Sequence, residues 1–149
     1  VNMMNRRAQE LMANGTHFMN PHGLHDDNHY TTAYDLYLIF NECIKHEDFV
    51  NIIQSEAYTA YYTDVDGNSQ EVLFTPTNLY AQGEVDVPEN VTIVGGKTGT
   101  TDEAGYCLIL MEKDSSDNPY ISIVMGASEK PVLYEDMTSL IEAIPSGQQ

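Results

Sequence analysis

Val91-Thr-Ile-Val-Gly-Gly-Lys97-Thr-Gly-Thr-Thr101 is the stretch whose reading decides the fold. Val91, Thr92, Ile93 and Val94 are β-branched and suit a pleated, half-buried surface. Gly95, Gly96 and Gly99 weaken a strand unless another backbone or a ligand approaches closely. Lys97 lies among those glycines, one of six lysines and arginines in a chain of 149 residues and net charge −17. Hydroxyl-bearing Thr98, Thr100 and Thr101 follow it. A cation and hydroxyls on a glycine-relieved strand suit an anionic ligand, so the stretch reads as a strand that ends in a site.

Lys97-Thr98-Gly99 spells the K-T-G signature shared by β-lactamases and penicillin-binding proteins. Three further blocks accompany it in order: Thr16-His-Phe-Met-Asn-Pro-His22-Gly-Leu24, His29-Tyr-Thr-Thr-Ala-Tyr-Asp-Leu36 and Glu103-Ala-Gly-Tyr-Cys-Leu108. Together they resemble the serine D-alanyl-D-alanine carboxypeptidases, the low-molecular-mass penicillin-binding proteins. The resemblance implies that residues 1–149 are the C-terminal portion of a transpeptidase-like catalytic domain with the β-lactamase-like fold. It implies that Lys97 sets the positive potential of the site, that Thr98, Gly99 and Thr100 form the wall that binds a terminal carboxylate, and that His22 lines the cleft. D-alanyl-D-alanine stem peptides and β-lactams are the implied ligands, the cell envelope outside the cytoplasm the implied location, and no cofactor or metal is implied.

The nucleophile of that chemistry is a serine three residues before a lysine. Lys45, Lys97, Lys113 and Lys130 are preceded at that distance by Glu42, Val94, Leu110 and Ala127, so the motif is missing from these 149 residues. Ser116-Asp117-Asn118 spells S-D-N but follows K-T-G instead of preceding it, and between two strands it reads as a turn. The expectation is a segment that is inactive alone and belongs to a larger enzyme. A non-catalytic binding module that keeps the fold is the alternative.

A hydrophobic content of 42% supports a core, and the −17 charge disfavours nucleic acid and anionic membrane surfaces as partners. No apolar run approaches the length of a membrane span. Cys43 and Cys107 lack C-x-x-C spacing and read as small buried side chains. His17, His22, His25 and His29 invite a zinc reading, but they sit in a stretch rich in turn formers without cysteine and read as a structural loop. Asp64, Asp66 and Asn68 echo part of a calcium loop without its glycine and closing glutamate in place, and read as a turn.

Periodicity completes an α+β expectation. Helices are expected over 2–13 and, in two pieces, over 32–54, with Thr31 or Thr32 as a cap. A small hairpin joins 57–63 to 70–75, and an irregular connection over 77–90 leads into the Lys97 strand. That strand forms a three-stranded antiparallel meander with 106–111 and 120–125, both expected to be central, under a C-terminal helix starting at Leu133 or Tyr134 and reaching Ile144. A sheet short of the family's remaining strands implies self-association of the isolated chain.

Overall fold

Alternation along the most apolar strand builds the core. In β4 (Gly105–Asp114) the even-numbered residues Leu108, Leu110, Glu112 and Asp114 are buried and their neighbours only partly so. The computed structural model, which describes residues 1–145, places β4 between β3 (Val91–Thr101) and β5 (Pro119–Ala127), both antiparallel to it. Pairing runs from Val91↔Asp114 to Thr101↔Gly105 on one side and from Tyr106↔Ala127 to Lys113↔Pro119 on the other. The expected meander is therefore present. Only β4 is central, however, and β5 is an edge of the described sheet. Both the last helix and a second helix earlier in the chain pack on β5, which fits its apolar run.

The helix on the core face is the last, α5 (Lys130–Glu142), which buries Leu133, Tyr134, Met137 and Ile141 against the sheet. Each such side chain contributes about 1.5–3 kcal/mol of burial. It begins three residues earlier than the apolar spacing indicates, because Pro131 in its first turn is already set for helical φ. Asn90 holds its other end, donating from its side chain to the carbonyls of Ile141 at 3.1 Å and Ile144 at 2.8 Å. A short helix, α4 (Leu79–Gln82), capped by the Asn78 side chain and closed by Gly83 at φ 72°, interrupts the connection read as irregular. One turn is too short to show a helical period. Tyr80 in it meets Tyr134 edge to face at 5.4 Å, and the Tyr134 hydroxyl accepts the Leu79 amide at 2.9 Å.

The opposite face carries α2 (Ala33–Cys43) against β5 and α3 (Glu47–Ile53) against β3. Thr32 caps α2, its hydroxyl accepting the Asp35 amide at 3.1 Å. The first helix, α1 (Asn2–Glu10), is shorter than its pattern. Met12 adopts φ 65°, and the Ala13 amide returns to the Ala8 carbonyl at 2.9 Å, a Schellman closure at a residue other than glycine. Of the apolar stripe read there, Ala8 is buried while Met3 and Met12 face solvent. Cys43 and Cys107 are free and half-buried, not buried. Strands β1 (Tyr58–Thr63) and β2 (Ser69–Phe74) form the expected hairpin as a separate sheet. Its turn is clasped by Asp64, whose carboxylate accepts the Asp66 amide at 3.0 Å and the Asn68 amide at 2.9 Å.

Glu112 is the anomaly of the core. It is fully buried between β4 and α5, and among the described residues neither carboxylate oxygen has a hydrogen-bond partner of good geometry. Burial pushes the carboxyl up to about 7, and neighbouring Ser122 offsets only part of that rise. The unfolded value is near 4.3, so the folded chain holds this proton more tightly. The stabilisation from the bound proton is complete below about pH 4 and is lost as pH rises through about 7. Thermal unfolding followed from about pH 5 to 8 is expected to show Glu112→Gln gaining on the parent by on the order of 2 kcal/mol at the alkaline end. Parallel profiles for the two proteins would remove Glu112 as the cause.

Candidate functional site

Two glycines place the Lys97 strand. The register of β3 on β4 slips between Ile93 and Gly95, a bulge that gives Val94 no partner. Directly after it, a side chain on Gly95 would strike the Ile53 carbonyl at the end of α3, and one on Gly96 would strike the Ile109 carbonyl and the Leu110 side chain. These glycines answer the close approach of other parts of the same chain. Gly99 differs, since a Cβ there would meet nothing within 4 Å. Its missing side chain leaves open surface over the strand, where a ligand backbone has room.

Past the bulge the residues alternate. Gly95, Lys97 and Gly99 pair with Met111, Ile109 and Cys107 on the α3 side, while Thr98 and Thr100 pair with Leu108 and Tyr106 on the α5 side. Lys97 is exposed, and its ammonium donates to the Thr98 carbonyl of its own strand. Thr100 is exposed and Thr98 half-buried. The Thr98 hydroxyl meets the Thr77 hydroxyl at 2.5 Å. Thr77 lies 21 residues away in a polar connection, and no local sequence pattern marks it. Beyond β4, the other edge of β3 is unpaired among the described residues.

The histidine-bearing segment lies against the end of this strand. It is closed at its base by the reciprocal backbone pair of His17 and Tyr30, at 2.8 and 3.1 Å, and by Thr16, whose hydroxyl donates to buried Asp35 at 2.7 Å. His25 makes the connection, with one ring nitrogen 3.2 Å from Asp27 and the other 3.7 Å from Glu103 in the turn after β3. His22 stays exposed in its own loop and accepts the Leu24 amide at 3.2 Å. Ser116-Asp117-Asn118 is at the opposite end of the sheet, in a turn where Asp114 accepts the amides of Ser116 at 2.8 Å and Asn118 at 2.9 Å. Hydrogen bonds from Asn118, first from its side chain, hold the Asp114 carboxyl below the usual carboxylate range. A groove of about 620 Å³ between α5 and the connection, lined by Leu79, Val85, Lys130 and Tyr134, lies apart from Lys97.

The chain is a mixed α/antiparallel-β one with its lysine-threonine-glycine strand at an edge of the described sheet, and its fold is β-lactamase-like. The structure matches the Streptomyces K15 DD-transpeptidase with a TM-score of 0.81 at 26% identity, covering 93% of this chain and 51% of that one. Residues 1–129 match the peptidase S11 family, D-alanyl-D-alanine carboxypeptidase, and the chain belongs to that family. Similar relatives are the D-alanyl-D-alanine carboxypeptidases DacF of Bacillus subtilis, 30% identical over 95% of this chain and 34% of its own length, and DacA of Haemophilus influenzae, 30% identical over 85% and 29%. The chain thus spans about a third of the curated relatives it matches.

Gly95→Ala inserts a methyl group where the α3 carbonyl sits. It is expected to cost roughly 1–3 kcal/mol, typical of overpacking, read as a lower denaturation midpoint, whereas Gly99→Ala leaves the midpoint within about 0.5 kcal/mol. Equal losses at the two positions would show that the contact with α3 does not set the strand.

Proposed function

We propose that the full-length protein is a serine D-alanyl-D-alanine carboxypeptidase acting on peptidoglycan stem peptides outside the cytoplasm, and that this chain supplies the K-T-G wall of its site. The observation that carries the reading is Lys97-Thr98-Gly99-Thr100 on an open-edged strand, in a chain belonging to the D-alanyl-D-alanine carboxypeptidase family. The serine oxygen, from a segment outside these residues, bonds to the carbonyl carbon of the penultimate D-alanine. A lysine one helical turn from that serine takes its proton, and the terminal D-alanine leaves as the amine with a proton returned to its nitrogen. Water then cleaves the ester. Lys97 supplies positive potential, Thr98 and Thr100 hold the terminal carboxylate, Gly99 leaves room for the peptide backbone, and the Thr100 amide donates to the oxyanion. His22 is a weaker contributor at the rim. β-Lactams acylate the same serine, and the reaction uses side chains and water without a cofactor.

Alone, this chain has no acyl-enzyme route, because neither Ser-x-x-Lys nor an S-x-N motif upstream of Lys97 is among its 149 residues. That same observation favours the second reading, a binding module that keeps the fold without the chemistry; an upstream Ser-x-x-Lys in the parent reading frame separates the two. Among the described residues no helix is long and apolar enough to cross a membrane. The edge of β5, unpaired among the described residues, favours self-association of the isolated chain, and a strict monomer by light scattering at high concentration counts against it.

The full-length protein is expected to take a fluorescent penicillin covalently, and Lys97→Ala to slow that labelling by about 10²–10³-fold, the cost of removing one preorganised electrostatic partner. A folded full-length protein that takes no label removes the enzyme assignment. Mass spectrometry of the isolated chain is expected to show no adduct, and a stoichiometric one would place the nucleophile within these residues.

A further inference from the structure

The hairpin β1–β2 pairs only with itself among the described residues. Its register runs through six pairs without a bulge and places Tyr58, Tyr62 and Phe74 on one face, with Tyr58 directly opposite Phe74, and Tyr61 and Leu73 on the other. Their exposures are 67%, 52%, 57%, 76% and 62%, so aromatic and apolar groups face solvent on both sides. A lone two-stranded hairpin is marginal in water, and an exposed apolar patch of this kind marks an interaction surface. The devices that guard strand edges, lysine, proline and bulges, are missing from both strands.

Charge says what fits. From Glu56 to Phe74 the segment carries Glu56, Asp64, Asp66 and Glu71 and no lysine, arginine or histidine. Asp64 is consumed by the turn, which is therefore held without an occupant. A second copy would bring the same sign to the same place, in a chain of net charge −17. A cationic extended segment meets three requirements together: its backbone satisfies an open edge, its ammonium or guanidinium groups lie over tyrosine faces, and Glu71 and Asp66 supply counter-charge. We propose that the β1–β2 hairpin is a docking edge for a lysine- or arginine-bearing extended segment of another protein, which adds to it as a third strand. The roots of the hairpin touch the Lys97 strand, Ile53 at Gly95 before it and Thr77 at Thr98 after it. A partner docked there is held beside that strand.

The test uses the full-length protein and two extended peptides of matched length, alternating valine with lysine or valine with glutamate. Calorimetry is expected to show binding of the lysine peptide alone, weakened by salt, and hydrogen exchange to slow at 58–63 or 69–74. The pair Tyr58→Ser and Phe74→Ser is expected to weaken binding at least about tenfold, and Glu71→Gln to reduce the salt dependence. Met3→Ser, also exposed and apolar but on α1, leaves binding unchanged. Unaltered thermal midpoints show that the variants fold, independently of any penicillin labelling. Equal binding of the glutamate peptide, protection elsewhere, an equal loss from Met3→Ser, or binding of isolated glycan strands in place of the lysine peptide overturns the proposal.

Discussion

The absence of side chains at Gly95 and Gly96 is the constraint on which the arrangement of the sheet depends. It lets the last carbonyl of α3 rest on β3 from one face while the backbone of β4 closes in from the other. Because strand side chains alternate, the register set at this point decides which way every later residue of β3 faces. The bulge at Val94 is a one-residue correction placed just before the contact. After it, Lys97 shares a face with α3, and Thr98 is turned toward Thr77 and the α5 side. Without the correction, the lysine would face the core helix and the threonine the open side.

The second layer fixes the same strand from its start. Asn90, immediately before β3, caps the end of α5, so the helix that buries the core face also anchors the residue from which β3 departs. Tyr80 and Tyr134 join the connecting segment to α5 in the same way, with the Tyr80 hydroxyl reaching Thr138 at 2.7 Å. Burial of Glu112 within this layer works against it. The carboxyl lies where β4 meets α5 and, among the described residues, is without a partner of good geometry. Its cost is limited because the group can hold a proton up to near neutral pH.

Strong local patterns were legible. The β-branched run before Gly95, the apolar runs of β4 and β5 and the Asp64 turn announced their structures, because each is specified by neighbours in sequence. What failed was set by distant residues or by single residues overriding a period. The left-handed Met12 ends α1 early, Pro131 starts α5 early, and α4 is a capped turn too short to repeat. The outer position of β5 could not be read, since a strand covered by helices carries the same apolar run as one flanked by strands. At the site, Lys97, Thr98, Gly99 and Thr100 were visible as a motif, but the Thr77 hydroxyl beside Thr98 and the His25 link to Glu103 are tertiary contacts with no local signature.

An anion-suited strand in a chain of charge −17 poses an electrostatic question that distance resolves. Charges in solution are screened over about 8 Å at physiological ionic strength, so the total charge governs encounter with a ligand more than its bound energy. Past the Lys97 end of β3 the acids next in sequence are Asp102 and Glu103 in the following turn, and Glu103 is approached by His25. What remains along the strand is one exposed ammonium and a row of hydroxyls, with Gly99 leaving the surface clear. Short-range donors of this kind retain an anion by hydrogen bonding even where the wider field opposes its arrival. In the proposed site the acidic surface thus weakens steering without removing recognition, and it is at the aromatic hairpin, where no cation lies between Glu56 and Phe74, that the same charge suits the proposed basic partner.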